Sequence, residues 1–443
     1  MDALMLPLNW QRVRLGDIGI TISGLAGKTK QDFINGNAKY ITFLNVLNNV
    51  IIDTSILENV KIYPNEKQNS FKKYDLFFNT SSETPKEVGM CAVLLDDIDQ
   101  VFLNSFCFGF RIFDKAIDSL FLSYLINSEI GRKAFENLAQ GSTRYNLSKS
   151  GFNNVCLILP PLNEQIAIAN ILSDVDRYLY SLDALILKKE SVKKALSFEL
   201  LSQRKRLKGF NQAWQKVRLG DMTTSFTKQT GFDYSASIKP TLIKEQLPNY
   251  IPFIQNKDFS GHYINYKTDY FIPNEIAIRF PQILLNEKCL LISIVGSIGN
   301  VAVFNHSQDA FTGCAIAVLK FKEKKSLDFV MHFLMSASGQ KSLLNIVKAS
   351  SHKSIILADL RDLLIPLPPL NEQIAIANIL SALDHEIISL KNKKRQFDNI
   401  KKALNHDLMS AKIRVLKKLT PQKSRTNPLI KETPKLLNLG ERS

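Results

Sequence analysis

LPPLNEQIAIANILS occupies residues 159–173 and recurs without a change at 367–381, an offset of 208. A second pair marks the other end of the repeated unit. WQRVRLGD at 10–17 matches WQKVRLGD at 214–221, and these copies hold both tryptophans of the chain. From the tryptophan to the asparagine of PPLNEQ is 153 positions in the first copy and 157 in the second. Two modules of nearly equal length therefore each have a beginning and an end. Between the markers the copies differ almost everywhere. A recent tandem duplication would leave scattered identity throughout. Identity confined to the boundaries and the segments that follow them describes one frame with two rewritten interiors.

After each PPLNEQ the pattern becomes helical. Prolines stand just outside the start, Asn163 and Asn371 are read as caps, and Glu164 and Glu372 suit the positive first turn. Apolar residues then recur every seven positions: Val175, Leu182 and Leu196 in the first copy, with Lys189 in the same register, and Leu383, Leu390, Phe397 and Leu404 in the second. Ile168, Ile171, Leu185 and Val192 fill intervening positions in one copy, as do Ile376, Ile379 and Ile400 in the other. This is a coiled-coil seam. About 45 residues without Gly or Pro make a rod of roughly 65 Å. The two stripes share a register and a chain, so antiparallel packing about a pseudo-two-fold axis is expected.

A chain of 443 residues exceeds one ordinary core, and a formal charge of +16 points to a polyanionic partner. Ten Lys/Arg against two Asp/Glu fall between Leu187 and Arg218, and fifteen against four from Ile388 onward. The basic excess thus lies on the later halves of the helices and the tail. It either tracks phosphates or is a solvated helix face. The five cysteines are scattered without CxxC spacing and read as reduced core thiols. No signal peptide or membrane-length apolar run is visible, so a cytoplasmic protein with no membrane role is expected.

Sequence-specific contacts are expected from polar loops inside the modules. In the first these are NTSSETPK, with Asn79, Thr80, Ser81, Ser82 and Lys86, and GSTRYN, with Arg144 and Tyr145. In the second they are SIVGSIGN, with Ser297 and Asn300, the SSHKS run with His352 and Lys353, and a mixed segment holding Arg279 and Gln282. Such side chains hydrogen-bond base edges and phosphates. Gly296 and Gly299 read equally well as an ordinary hairpin.

Catalytic motifs fail on inspection. GLAGKT at 24–29 looks like the end of a phosphate loop, but GxxxxGK[ST] would need glycine where Ile22 stands. NPLI at 427–430 lacks the second proline and aromatic ring of an amino-methylating NPP[YF] motif. The six histidines are dispersed, and neither a metal site nor an acidic nuclease cluster is expected.

The paired W..VRLGD starts, PPLNEQ helix entries and heptad rods resemble the specificity subunit of type I restriction-modification systems, over residues 10–415. DLFF at 75–78, VGMCAV at 88–93 and GSIGNVAVF at 296–304 look like recognition-domain core segments of that family. The resemblance implies an α+β fold. Two mixed α/β target-recognition domains, 1–160 and 211–367, are joined by two long helices, 161–210 and 368–415, packed as an antiparallel coiled coil. A basic tail, 416–443, is expected to be disordered. The implied function is non-catalytic reading of a two-part site on double-stranded DNA. The implied partners are two modification (methyltransferase) subunits and restriction (motor-nuclease) subunits. S-adenosylmethionine, ATP and Mg are expected on those partners and no cofactor on this chain. Asn163, Glu164, Gln165, Asn371, Glu372 and Gln373, with the rod faces, are expected to dock the modification subunits. The rival reading is a coiled-coil protein-interaction scaffold without DNA reading.

Overall fold

The computed structural model describes residues 7, 9–136, 138, 141, 144–313, 315–348 and 353–415; the basic tail, His352 and Cys314 lie outside them. The two repeated boundary segments meet inside each module. Strand Gln11–Arg14 pairs antiparallel with Cys156–Leu159, Val13 opposite Leu157. Strand Gln215–Arg218 pairs likewise with Leu364–Leu367, Val217 opposite Ile365. Each module is closed by hydrogen-bonding its first strand to its last, immediately before the prolines of PPLNEQ.

Four helices carry the packing of the two modules: α1 (Ser119–Asn127), α2 (Leu162–Leu201), α3 (Leu327–Met335) and α4 (Leu370–Met409). The long helices α2 and α4 each have 40 residues, about 60 Å at 1.5 Å per residue. They begin one residue before the expected caps. The carbonyls of Pro161 and Pro369 accept from the amides of Glu164 and Gln165, and of Glu372 and Gln373, and the Asn163 side-chain oxygen also accepts from the Glu164 amide at 2.9 Å, within the first turn as its cap reading expects.

The chain forms two compact units, one of residues up to 180 and from 395 onward, the other of 181–394. Compactness groups each module with the start of the helix that follows it and the end of the other helix, whereas the sequence division kept each helix whole.

In the first unit the four-stranded antiparallel sheet runs in the order Gly19–Ser23, Cys107–Ile112, Leu76–Asn79, Cys91–Val93. A three-stranded sheet of Glu58–Val60, Ala38–Ile41 and Val101–Leu103 is built from the intervening sequence. One core joins Phe78, Phe108, Phe110 and Phe152 to Phe121 of α1, Ile168 and Leu172 of α2, and Leu408 of α4. The second unit repeats the plan with Thr223–Lys228, Ile316–Phe321, Cys289–Ser293 and Val301–Phe304. Its core takes Phe329 from α3, Leu200 from α2, and Ile376 and Leu380 from α4.

Within each unit the helix segments pack antiparallel. Lys189 pairs with Glu386 at 2.7 Å, Asp183 with Lys394 at 2.9 Å and Glu190 with Lys391 at 2.6 Å in the second unit. In the first, the Tyr178 and Phe397 rings lie 4.6 Å apart and Asp176 pairs with Lys401. The apolar seam alternates steps of four and three. Leu172, Leu179, Leu182, Ile186 and Leu200 are buried, with Val175 and Leu196 half-buried between them. On α4 the series is Ile376, Leu380, Leu383, Ile387, Leu390, Phe397, Leu404 and Leu408. Leu185, Val192 and Ile400, expected in the seam, are exposed. Ile186, one residue beyond Leu185, takes the seam position, because Leu179 to Leu182 is already a step of three and a second such step would drift off the face, whereas a step of four returns to it.

Candidate nucleic-acid interface

The repeated NEQ triplet is turned inward. Glu164 and Gln165 are 1 % exposed, Glu372 0 % and Gln373 3 %. The Gln165 side-chain amide donates to the Pro160 and Ala116 carbonyls, and its oxygen accepts from the backbone amide of Asp118, whose carboxylate caps α1. Gln373 donates to the Pro368 carbonyl at 2.7 Å. Each glutamate receives an arginine from just beyond the end of the other long helix. Arg206 grips Glu372 with two contacts of 2.7 Å, and Arg414 grips Glu164 at 2.6 and 2.8 Å. The Trp214 indole also donates to Glu372, at 3.2 Å. The expectation that Glu164, Gln165, Glu372 and Gln373 dock a partner is therefore corrected. Buried carboxylates need internal partners, and these have them. Asn163 and Asn371 remain exposed at the helix entries. Arg206 and Arg414 escaped the sequence reading although they stand 208 positions apart, the offset of the repeat.

The polar loops are brought together pairwise. In the first unit, strand Tyr145–Asn146 pairs antiparallel with Ser81–Ser82, joining the two segments predicted there. Lys86 and Arg144 are exposed, and Thr80 and Tyr145 half-buried. Phe106, which the sequence reading missed, is 52 % exposed and carries the Arg144 guanidinium 5.6 Å from its ring centre. Thr80 donates its hydroxyl to the Phe106 carbonyl at 2.8 Å. Three predicted residues are corrected, because they are buried and occupied within the loop. The Asn79 side chain donates to the Glu87 carbonyl at 2.8 Å and accepts from the Met90 amide at 2.7 Å. Ser82 donates to Glu87 at 2.7 Å, and Ser81 lies in the strand pair.

In the second unit Cys289–Ser293 and Val301–Phe304 form the hairpin that the glycines allowed, with Gly296 at φ 76° and Gly299 at φ 88°. Val295 bridges Ser354, and Ile355 donates to the Ile294 carbonyl at 2.9 Å. The hairpin loop and the segment holding Lys353 are therefore neighbours. Ser297 and Lys353 are exposed. Asn300 is half-buried and closes the loop through its backbone, donating to the Ser293 hydroxyl at 3.0 Å. Arg279 and Gln282 follow the short helix Asn274–Ala277, on the way to strand Leu284–Leu285 of another sheet, and both are exposed. No hydrogen bond among the described residues joins either side chain to the hairpin.

Much of the basic charge is spent inside the chain. Lys189, Lys193, Lys391, Lys394, Lys401, Arg206 and Arg414 all have carboxylate partners, while Lys188 and Lys194 are exposed. Lys28 of the GKT segment donates to Glu66 and to the Lys61 carbonyl, and Thr29 caps a short turn of helix through Asp32. Those contacts close a loop instead of cradling a phosphate. Of the described cysteines, Cys91, Cys107 and Cys289 are buried and Cys156 is exposed, which corrects the expectation of a core thiol there. No helix among the described residues is long and apolar enough to cross a membrane.

The type I restriction modification DNA specificity domain matches twice, over residues 7–189 and 211–397. The type I restriction enzyme MjaVIII specificity subunit of Methanocaldococcus jannaschii is 24 % identical over 433 residues, covering 94 % of this chain and 95 % of that one. The EcoKI specificity subunit of Escherichia coli is 24 % identical over 408 residues, covering 86 % and 84 %. The solved structure of the type I restriction-modification S subunit of M. genitalium matches with a TM-score of 0.60 at 17 % identity, covering 91 % of this chain and 97 % of that one. Two domain matches at the repeat spacing, on two closed modules with antiparallel helices, place this chain in the type I restriction-modification DNA specificity family.

Proposed function

We propose that each module reads one half of a two-part site on double-stranded DNA, through the edge where its two polar segments converge. The observation that carries this is the pairing itself. Residues some 60 positions apart, Ser81–Ser82 with Tyr145–Asn146 and Val295 with Ser354, are tied into one edge in each unit. Lys86, Arg144 and Tyr145 in the first, and Ser297, Asn300 and Lys353 in the second, supply donors and charge suited to phosphates and base edges. Arg279 and Gln282 would act from a separate place, and His352 belongs to the same segment as Lys353. Different side chains at equivalent edges would read different sequences.

The helices would set the unread spacer between the half-sites. They would also carry two methyltransferase subunits, which bring S-adenosylmethionine, and motor-nuclease subunits, which bring ATP and Mg, in a cytoplasmic complex. Asn163, Asn371 and the outer helix faces would serve that docking. Recognition, not catalysis, is the role of this chain. The experiment is to co-express it with its modification subunit and map methylated adenines. Seven residues inserted into α2 after Tyr180 and seven into α4 after Lys394 add about 10 Å, roughly three base pairs. The mapped spacer should lengthen or methylation should stop, and an unchanged spacer removes the ruler. Failure of the complex to bind duplex DNA in a salt-dependent way would leave the scaffold reading instead.

A further inference from the structure

Histidines dispersed in sequence are gathered by the fold of the second unit. His262 lies in the turn between strands Phe259–Ser260 and Tyr263–Ile264, His332 on α3 and Asp384 on α4. One ligand atom from each, two imidazole nitrogens and a carboxylate oxygen, lie within 4.8 Å of one another. Asp384 Oδ2 is 3.4 Å from His262 Nε2 and 4.0 Å from His332 Nδ1. Ligand atoms around a tetrahedral Zn²⁺ stand about 3.3 Å apart, so the two carboxylate–imidazole separations need to close by less than about 1 Å and the widest separation by up to about 1.5 Å.

The carboxylate points to an absent ligand. Asp384 is 7 % exposed, yet among the described residues its Oδ2 accepts no hydrogen bond. The first unit shows why. There the counterpart, Asp176, accepts from the Tyr124 hydroxyl at 2.7 Å, and Tyr124 is the repeat equivalent of His332 at the 208-residue offset. Replacing tyrosine by histidine removes that donor from the carboxylate. The His332 Nε2 is instead 2.8 Å from the Ser381 hydroxyl. With Nε2–H donating there, Nδ1 presents its lone pair toward Asp384, the outer contact that a metal-bound histidine uses to fix its tautomer. Burial pushes His332 down to about 3, and burial and the Lys193 ammonium push His262 below its ordinary range. Both rings are therefore neutral at pH 7.

A cation already stands at the edge of this group. Lys193 donates to Asp384 Oδ1, and its Nζ is 2.9 Å from His262 Nε2. The group opens on a cavity of about 1130 Å³ that Lys193 itself lines. The ammonium therefore has room to swing aside, and water has room to complete a coordination sphere.

We propose that His262, His332 and Asp384 form a site for a divalent transition-metal ion of the Zn²⁺ type, which displaces the Lys193 ammonium on binding. Two imidazoles and one carboxylate with an open position match Zn²⁺, whereas Ca²⁺ and Mg²⁺ require oxygen ligands. The ion would pin the 259–264 hairpin and α3 to α4. The test is calorimetric titration of the untagged, chelator-treated full chain with ZnCl₂, with the visible absorption of Co²⁺ as a second readout. One equivalent should bind, with four-coordinate Co²⁺ bands. His262→Ala and His332→Tyr should each weaken binding at least tenfold, and Lys193→Met should tighten it. His332→Tyr restores the arrangement of the first unit, so it should fold normally while losing the ion. No binding by the native chain, or binding by His332→Tyr and His262→Ala equal to that of the native chain, overturns the proposal.

Discussion

Arg206, five residues beyond the end of α2, forms a bidentate ion pair with Glu372 in the first turn of α4, and both contacts are 2.7 Å. The same clasp recurs between Arg414 and Glu164. The end of each long helix is thereby tied to the beginning of the other. Removing Arg206 leaves the buried Glu372 carboxylate without a cation, with the Trp214 indole as its remaining donor. Arg206→Ala should therefore lower unfolding stability by about 3–5 kcal/mol, read from urea unfolding. Arg206→Ala with Glu372→Gln should recover part of the loss, and a loss under about 1 kcal/mol for the single variant would show that the clasp is worth no more than a surface pair.

The two halves of the coil have exchanged one contact for another. Lys189 and Glu386 pair at the positions that Phe397 and Tyr178 occupy in the first unit, each displaced by 208. Lys189→Phe with Glu386→Tyr should restore an aromatic pair and couple favourably by about 0.5–1.5 kcal/mol in a double-mutant cycle. Additive single effects would mean that the two sites are not geometrically equivalent.

Ile186 is 6 % exposed and Leu185 39 %. Ile186→Ala should cost about 2–5 kcal/mol, whereas Leu185→Ala should stay near about 0.5 kcal/mol. Thermal unfolding of the two variants decides the register, and a reversed order would place the seam one residue earlier.

Asn79 and Arg144 should separate stability from reading. Asn79→Ala leaves the Met90 amide and Glu87 carbonyl without its amide and should cost about 1–3 kcal/mol. Arg144→Ala should leave unfolding unchanged while weakening duplex binding or relaxing one half of the methylated sequence. Lys353→Ala should affect only the other half. Methylation mapping of both variants checks this, and a change in the same half for both would refute independent readers.

The amino-acid order alone pointed to the duplication, the two modules, the long helices and their antiparallel seam. These follow from local periodicity and from identical segments that can only fold alike. Four features waited for the tertiary structure. The NEQ side chains look like surface polar groups, but the glutamates and glutamines are buried, because arginines far along the chain reach the carboxylates. Leu185 and Ile186 are equally apolar neighbours, and only helix packing selects which faces the partner. Asn79 and Lys86 share one polar run, yet the fold turns the first inward and the second outward. His262, His332 and Asp384 carry no spacing signal, since they come from a turn and two helices. Contacts between residues distant in sequence are set by packing geometry, which no local pattern encodes.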